Sequence, residues 1–578
     1  MHYWKALAFL RTRLEVNQIT DLSLDEFTEA LGCTRRNAQL IVKKLVNEKW
    51  IEWQSGVGRG NLPKITLLNC LNDTLQHRAD ALLADNKVEQ ALELVDKHKR
   101  DLFLRGYIDR YEASPDKLDI LQIPFYRGTH CLDPIYVSRR TESHITSYLY
   151  SNLLRFDAKQ QAFVGDLAMY WYREGNTWHF ILRKGLVFHD GSTILAQAIK
   201  NHFLRLINAN HQNSQQFHCI SNIIVISPLH IAFETNAYSG YLEGLVSSSA
   251  AGITKVHDKR VIGSGSFELT EQTQWLTRLT AFRHYHGLRP WVDGVEMWNI
   301  GDQAKDFELH CDIINAHQHY QSTDALEFQE SEQWERGCEY ALINPKGNTW
   351  LSEPSNCEQL SELLLLLCLP QSLIVGDIKP AKGMLSTLRS NTLDANVLPN
   401  ANLVAHDCPS SLAKNMSTPK QALKILTYQL YHHIEVAEYY CKQLNLLGFP
   451  CEFEVLEFPE FCLPESLEQA DIIISGEVFS DNLDRSWMGW LLGTSALTTC
   501  LTDDKQTWLH QQIEHVWTLS DHQQRQTAFL EIEQQLINAG IYRPIFHVKQ
   551  QLNQAETVNP MELLANGWID FNQVTMRK

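Results

Sequence analysis

Four residues near the start of this chain restrict its fold more than anything that follows. Ser23 and Glu26 stand three apart, the spacing of a capping box, in which each side chain satisfies an orphan N–H of the other's turn. Gly32 suits the left-handed close of a helix, and Thr34 suits the cap of the next one. The punctuation predicts one helix over Leu24 to Leu31 and another from Thr34 to about Lys49, joined by a tight turn. Ahead of them, Trp4, Leu7, Ala8, Leu10, Arg11 and Leu14 recur at helical spacing, which predicts a further helix over 2–14.

On the helix after Thr34, Ala38, Ile41, Val42 and Leu45 fall in one apolar arc. Arg36, Leu40, Lys43 and Asn47 lie opposite, flanked by Asn37, Gln39 and Lys44. Such a face reads duplex DNA: cations for phosphates and guanine edges, amides for adenine, and Leu40 for a thymine methyl. Arg35 sits nearer the core edge and is expected on backbone phosphate. Trp50 to Gln54 and Lys64 to Leu67 alternate as paired strands, with Gly56-Val57-Gly58-Arg59-Gly60-Asn61 between them. Three helices followed by this hairpin predict a winged helix-turn-helix, with Arg59 on the wing and Lys64 at its base as further DNA contacts. The glycines are not a phosphate loop, because no Lys-Ser/Thr follows and the next element is a strand.

Charge agrees with that division. The chain's net charge is −17, yet residues 1–68 hold five lysines and five arginines against two aspartates and five glutamates. A basic head on an acidic body suits a phosphate-binding module joined to something else. Residues 69–114 are expected to be a helical connector: Leu75, Ala79, Leu82 and Leu83 form one stripe and Ala91, Leu92 and Val95 another, around Asp85-Asn86-Lys87. Ser114-Pro115-Asp116 marks its end. Beyond it, short β-rich runs such as Ile120 to Phe125 and His179 to Leu182 alternate with amphipathic stretches, the pattern of an α/β protein. Residues 423–457 read as strand, helix (Glu435 to Leu447) and strand.

The longest apolar run, Leu363 to Leu369, is far below the ~20 residues a membrane span needs. The first twenty residues lack an apolar signal core, and thirteen cysteines form no CxxC pair, so free thiols and a cytoplasmic location are expected. No HExxH, GxSxG or zinc spacing occurs. His284-Tyr285-His286, His432-His433 and Asp503-Asp504 have no further partner in sequence. No catalysis, metal or cofactor is expected.

The segments Leu132-Asp133-Pro134, Leu153 to Asp157, Gly165 to Ala168 and Trp178 to Gly191 resemble family 5 extracellular solute-binding proteins, the peptide and nickel receptors of ABC importers. Ile262 to Phe267 resembles that family's Gly-Thr-Gly-Pro-Tyr segment, with Ser266 in the proline's place. Together with Thr34-Arg35-Arg36, Val57 to Gly60 and Arg139 to Ile145, the chain resembles SgrR-type transcriptional regulators along nearly its whole length. The resemblance implies a two-lobed periplasmic-binding-protein-like body: lobe I over 115–300, lobe II over 301–544, and a return to lobe I over 545–578. It also implies activation of a sugar-phosphate stress response, with a sugar phosphate or related metabolite as ligand.

An anionic sugar needs arginine forks, hydroxyl acceptors and aromatic faces. Arg127, Arg139, Arg140, Glu142 and His144 are the candidates in lobe I, Trp298 near the expected hinge, and Trp487 and Trp490 in lobe II. The expected partners are double-stranded DNA, a small molecule and, through the connector, a second copy in a homodimer. A solute-binding or scaffold protein whose winged helix binds protein is the alternative.

Overall fold

The computed structural model describes residues 2–56, 62–84, 87–95, 119–125, 128–237, 239–258, 260–299, 313–315, 328–367, 369, 378–385, 409–458 and 460–577. Arg59 and Arg127, with Ser114-Pro115-Asp116, lie outside them.

The head is a winged helix-turn-helix in the order α1 (His2–Arg13), β1 (Ile19–Asp21), α2 (Leu24–Leu31), α3 (Arg35–Asn47), β2 (Ile51–Gln54) and β3 (Lys64–Leu67). The Ser23 hydroxyl accepts the Glu26 N–H at 3.0 Å, and Gly32 takes φ +58°, where a side chain would be strained. Its N–H reaches back to Glu29 O, closing α2 and turning the chain into α3. Strand β3 lies between β1 and β2, both antiparallel to it. The sequence pattern contains no signal for β1, a three-residue edge fixed by pairing Ile19 with Thr66 and Asp21 with Lys64.

The connector begins with α4 (Asn72–Ala84) and α5 (Val88–Leu92). Leu75, Ala79, Leu82, Ala91, Leu92 and Val95 are all buried in one apolar cluster with the head. A salt bridge from Lys5 to Glu93, 2.7 Å long, ties α1 to the same unit.

Lobe I contains β4 (Ile120–Phe125), α6 (Arg140–Leu149), the hairpin β5 (Leu154–Asp157) and β6 (Ala162–Gly165), β7 (Ala168–Glu174), β8 (Thr177–Leu182), α7 (Ala196–Ile207), β9 (Ile220–Ser227), β10 (His230–Thr235), α8 (Leu242–Val246), the hairpin β11 (Lys255–His257) and β12 (Arg260–Ile262), β13 (Phe267–Gln272), β14 (Leu276–Ala281) and β15 (Gly294–Asn299). Two four-stranded sheets, β7-β8-β10-β9 and β13-β14-β15-β4, form its frame.

The segments that carried the resemblance are structural joints. Arg205 of α7 grips both Asp133 oxygens, at 2.5 and 3.0 Å, and Asp133 in turn caps the turn at Ile135. Gly263 and Gly265 run so close to α6 that a Cβ on either would fall 2.0 Å from a backbone oxygen of Leu149 or Tyr148. The segment keeps this path with Ser266 in place of proline, and Ser266 O accepts the Phe282 N–H at 2.8 Å.

Lobe II follows with β16 (Ile313–Asn315), β17 (Phe328–Trp334), β18 (Gly337–Ile343), α9 (Pro354–Leu366), β19 (Ile378–Pro380), α10 (Pro409–Asn415), β20 (Leu423–Tyr428), α11 (Tyr431–Leu446), β21 (Cys451–Leu456), α12 (Pro464–Leu467), β22 (Ile472–Val478), α13 (Leu483–Gly493), α14 (Ser495–Cys500), α15 (Asp503–Val516), α16 (His522–Asn538) and β23 (Tyr542–Ala555). Its mixed sheet runs β16-β23-β18-β22-β20-β21, with β17 and β19 also on β23. Helix α11 starts a turn earlier than its sequence pattern, drawing His433 into the core.

Strand β23 ties the lobes together. Phe546 and Val548 belong to the lobe II core, whereas Leu552 belongs to the lobe I core with Leu121, Trp568 and Val574. A further cluster, running from Ile135 through Phe203 to Trp487 and Tyr542, is continuous across both lobes. Among the described residues, no helix is long and apolar enough to cross a membrane.

Candidate DNA and ligand interfaces

On α3, Ala38, Ile41, Val42 and Leu45 face the core, as the pattern predicts. Arg35, Arg36, Gln39, Leu40, Lys43 and Lys44 are exposed and Asn37 is half-buried; Lys64 is exposed on β3. They are not equivalent. Arg35 pairs with Asp25 of α2, bracing the two helices against each other. Lys44 sits 4.4 Å above the Tyr3 ring and 3.8 Å from Glu48. The Tyr3 hydroxyl donates to Glu48; burial and that carboxylate push it up to about 12. Among the described residues no carboxylate pairs with Arg36 or Lys43. These two cations, with Gln39 and Leu40 between them, are the part of the face available to a ligand.

In the body, the candidates at α6 separate by direction. Arg139 and Arg140 leave lobe I and meet lobe II. The Arg139 guanidinium stacks 5.0 Å over the Phe458 ring, and Arg140 donates to the Glu335 carboxylate at 2.6 Å. Glu335 is only 4 % exposed and also accepts from Gln550 of β23 at 2.5 Å. Nearby, buried Glu339 pairs with His433, and Tyr428 packs against His433 and Phe458. Glu477 of β22 is half-buried beside them; burial, then the charge of Glu339, pushes its carboxyl up to about 7.

Glu142 and His144 are instead buried within lobe I, which corrects their assignment to the cleft. The Glu142 carboxylate accepts the His130 N–H at 3.0 Å inside lobe I. His144 is stacked against Trp568 of the returning C-terminal segment, with Nδ1 3.2 Å from Asn566. Burial lowers its pKa to about 3, so it is a neutral packing group. Spacing along one helix brings these four residues together; Arg139 and Arg140 extend from its start to lobe II, whereas Glu142 and His144 are taken up inside lobe I.

The tryptophan candidates are corrected as well. Trp487 and Trp490 have no exposed surface. Trp487 stacks on Phe529 and donates its indole N–H to Gln526, while Trp490 packs on Tyr542 and Tyr340. Filling the core of lobe II leaves neither a free ring face. Trp298 is buried in the apolar cluster of the head and connector, which leaves it no ring face for a solute. Of the histidine pairs, His286 bonds Asp166 at 2.7 Å. Among the described residues no three metal-ligating side chains converge.

The junction has contacts that sequence reading missed. Gln212 accepts from the Ser495 hydroxyl at 2.9 Å, the Tyr241 ring of lobe I packs at a tilt 5.0 Å from that of Trp517 of lobe II, and Arg485 reaches Ser247 O at 3.4 Å. No local pattern marks such residues, because each half of the pair is an ordinary surface residue of its own lobe.

A winged helix-turn-helix with an exposed basic helix, joined to a two-lobed α/β body, is the arrangement expected of a one-chain regulator, and the comparisons agree with it. Residues 7–108 match the family model for the sugar transport-related sRNA regulator N-terminus, and residues 162–346 match the middle region of bacterial extracellular solute-binding proteins, family 5. An HTH-type transcriptional regulator SgrR of Yersinia enterocolitica is 24% identical over 96% of this chain and 94% of its own length. An uncharacterised Bacillus subtilis protein, YhjP, is 23% identical over 98% and 97%. The dipeptide-binding protein of a Pseudoalteromonas species, solved with Met-Leu, superposes with a TM-score of 0.64 at 14% identity, covering 79% of this chain and all of that one. Along nearly its whole length the chain is thus similar to SgrR-type transcriptional regulators, and its body matches a family 5 solute-binding domain over 162–346.

Proposed function

We propose that this protein is a metabolite-responsive activator that binds double-stranded DNA, as a homodimer, inside the cell. Residues 1–68 act as the DNA-binding head and 69–114 as the connector. Lobe I comprises 115–300 with 545–578, and lobe II comprises 301–544. The observation that supports this most is the open stripe of Arg36, Gln39, Leu40 and Lys43 on α3, with Asn37 on the same helix and Lys64 exposed on β3. Arg36 and Gln39 read base edges, Lys43 and Lys64 meet phosphates, and Arg59 extends the contact along the wing. Arg35 and Lys44, braced within the head, contribute charge to the phosphate backbone.

The ligand is a sugar phosphate, taken up where the lobes meet, and its accumulation switches on a sugar-phosphate stress response. Its phosphate competes with Glu335 for Arg140, aided by Arg139 and Arg127, and the Tyr428–Phe458 surface receives the ring. The protein converts nothing chemically; binding favours one lobe arrangement over another.

Selection from random-sequence duplexes, followed by fluorescence anisotropy, tests the DNA reading. A selected site bound tighter than mixed-sequence DNA is expected; no duplex binding at 50 mM salt refutes it. Glucose 6-phosphate at a hundred times its dissociation constant adds about 2.7 kcal/mol of stability in a thermal-shift assay. A flat response to a panel of sugar phosphates refutes the ligand class.

A further inference from the structure

Sheet β13-β14-β15-β4 has two faces. Leu279, Val295 and Met297 point into the lobe I core together with Leu121, Ile123 and Phe125. Alternation turns Leu276, Arg278, Glu296 and Trp298 to the other side, where an outer sheet face normally meets water. Here it does not. Leu276 and Trp298, register partners on adjacent strands, are 2% and 3% exposed. They belong to the apolar cluster that also contains Leu10 of α1, Ala38 of α3, and Leu75 and Ala79 of α4. Half-buried Trp275 packs against the same cluster.

The polar groups on this face are matched to that cover. Buried Glu296 accepts from the Trp298 indole N–H at 3.1 Å and from Arg278 at 2.9 Å, and Arg278 also reaches Glu271 at 2.8 Å. The Trp298 ring is thereby held in one orientation. Asn299 N–H to Trp275 O, 2.7 Å, and Asn299 Nδ2 to Gln274 O, 2.6 Å, pin the strand ends that present the tryptophans.

The same sheet leads to the strand shared by both lobes. β15 pairs in parallel with β4, β4 lies against β16, and β16 pairs with β23. We propose that Trp275, Leu276 and Trp298 form the docking surface that fixes the head and connector to lobe I, and that a change at the lobe junction reaches the DNA-binding helix through this sheet. The inference deepens the regulatory reading above and names the route by which the body acts on the head. Physically, the sheet moves with β23, and a buried apolar seam with an oriented indole passes displacement on as a rigid contact.

A mutational cycle on the full-length chain tests this without any small ligand. Arg140→Ala releases the lobe junction, and hydrogen–deuterium exchange reads the connector peptides over 72–95. In the otherwise native chain, Arg140→Ala is expected to change exchange there at least threefold; in a Trp298→Ala background it is expected to change it less than 1.5-fold. Equal effects in both backgrounds, or no effect in either, overturn the proposal. If Trp298→Ala also loses protection over 423–478, the body itself has been disturbed, and Leu276→Ala replaces it under the same criteria. Anisotropy with a mixed-sequence duplex runs alongside. Trp298→Ala is expected to bind it within twofold of the native chain. If the native chain binds no duplex, the DNA reading fails, while the exchange cycle still decides the route.

Discussion

The chain has two arginine pairs at helix starts, Arg35-Arg36 opening α3 and Arg139-Arg140 at the cap and first residue of α6, and the fold uses them differently. In the head, Arg35 is held by Asp25 and Arg36 is left facing water. In the body both are engaged, Arg139 on an aromatic ring and Arg140 on a buried carboxylate. Two adjacent cations in a sequence therefore say little about availability. The deciding quantity is whether a partner within the chain has already taken the charge.

The largest expected effect tests the body pair. Arg140→Ala strands Glu335 as a buried carboxylate and should cost about 3 kcal/mol of stability in urea unfolding, recovered in part by adding Glu335→Gln. An unchanged midpoint would break the comparison, since Arg140 would then be as free as Arg36. In the head the sign of the evidence reverses. Arg36→Ala should weaken binding to a selected duplex by about 1–3 kcal/mol and relax preference at one base position, with the melting temperature unmoved.

The lobe junction should also respond to pH. The Glu477 carboxyl, raised to about 7 by burial and then by Glu339, favours its neutral form in the folded state. Its contribution is complete below the unfolded carboxylate value near 4.3 and is lost as pH rises through about 7. Glu477→Gln should flatten the fall in melting temperature over that window. His144 and His202, both lowered to about 3 by burial, act oppositely. Their stabilisation is complete above pH 6.5 and erodes on acidification, so an acid limb should persist in the Gln variant. The smallest effect concerns the exposed Arg35–Asp25 pair: Asp25→Ala should cost about 0.5 kcal/mol of stability. A larger loss would make the brace between α2 and α3 more than a surface ion pair.

The legibility of the two regions differs for the same reason. The head's helices follow from local chemistry: a capping hydroxyl, a left-handed glycine and an apolar stripe each act within a few residues. The body's interface does not. His144 has the same spacing logic as Arg139 and Arg140, yet what faces it arrives from Trp568, over four hundred positions later. Trp298, Trp487 and Trp490 were legible as large apolar side chains needing cover. Whether a solute, a core or the connector supplies that cover depends on long-range packing, which the sequence pattern does not encode.

That distance has a consequence for synthesis. Leu121 and Phe125 of β4 complete their core only with Trp568, Ile569, Phe571 and Val574. At about 5–20 residues per second, the ribosome needs about twenty seconds to a minute and a half to deliver those late side chains. For that interval the nascent lobe I exposes an unfinished apolar surface, whereas the winged head has emerged with its own elements complete. Each translating ribosome therefore carries a finished winged head before the lobe it packs against is complete.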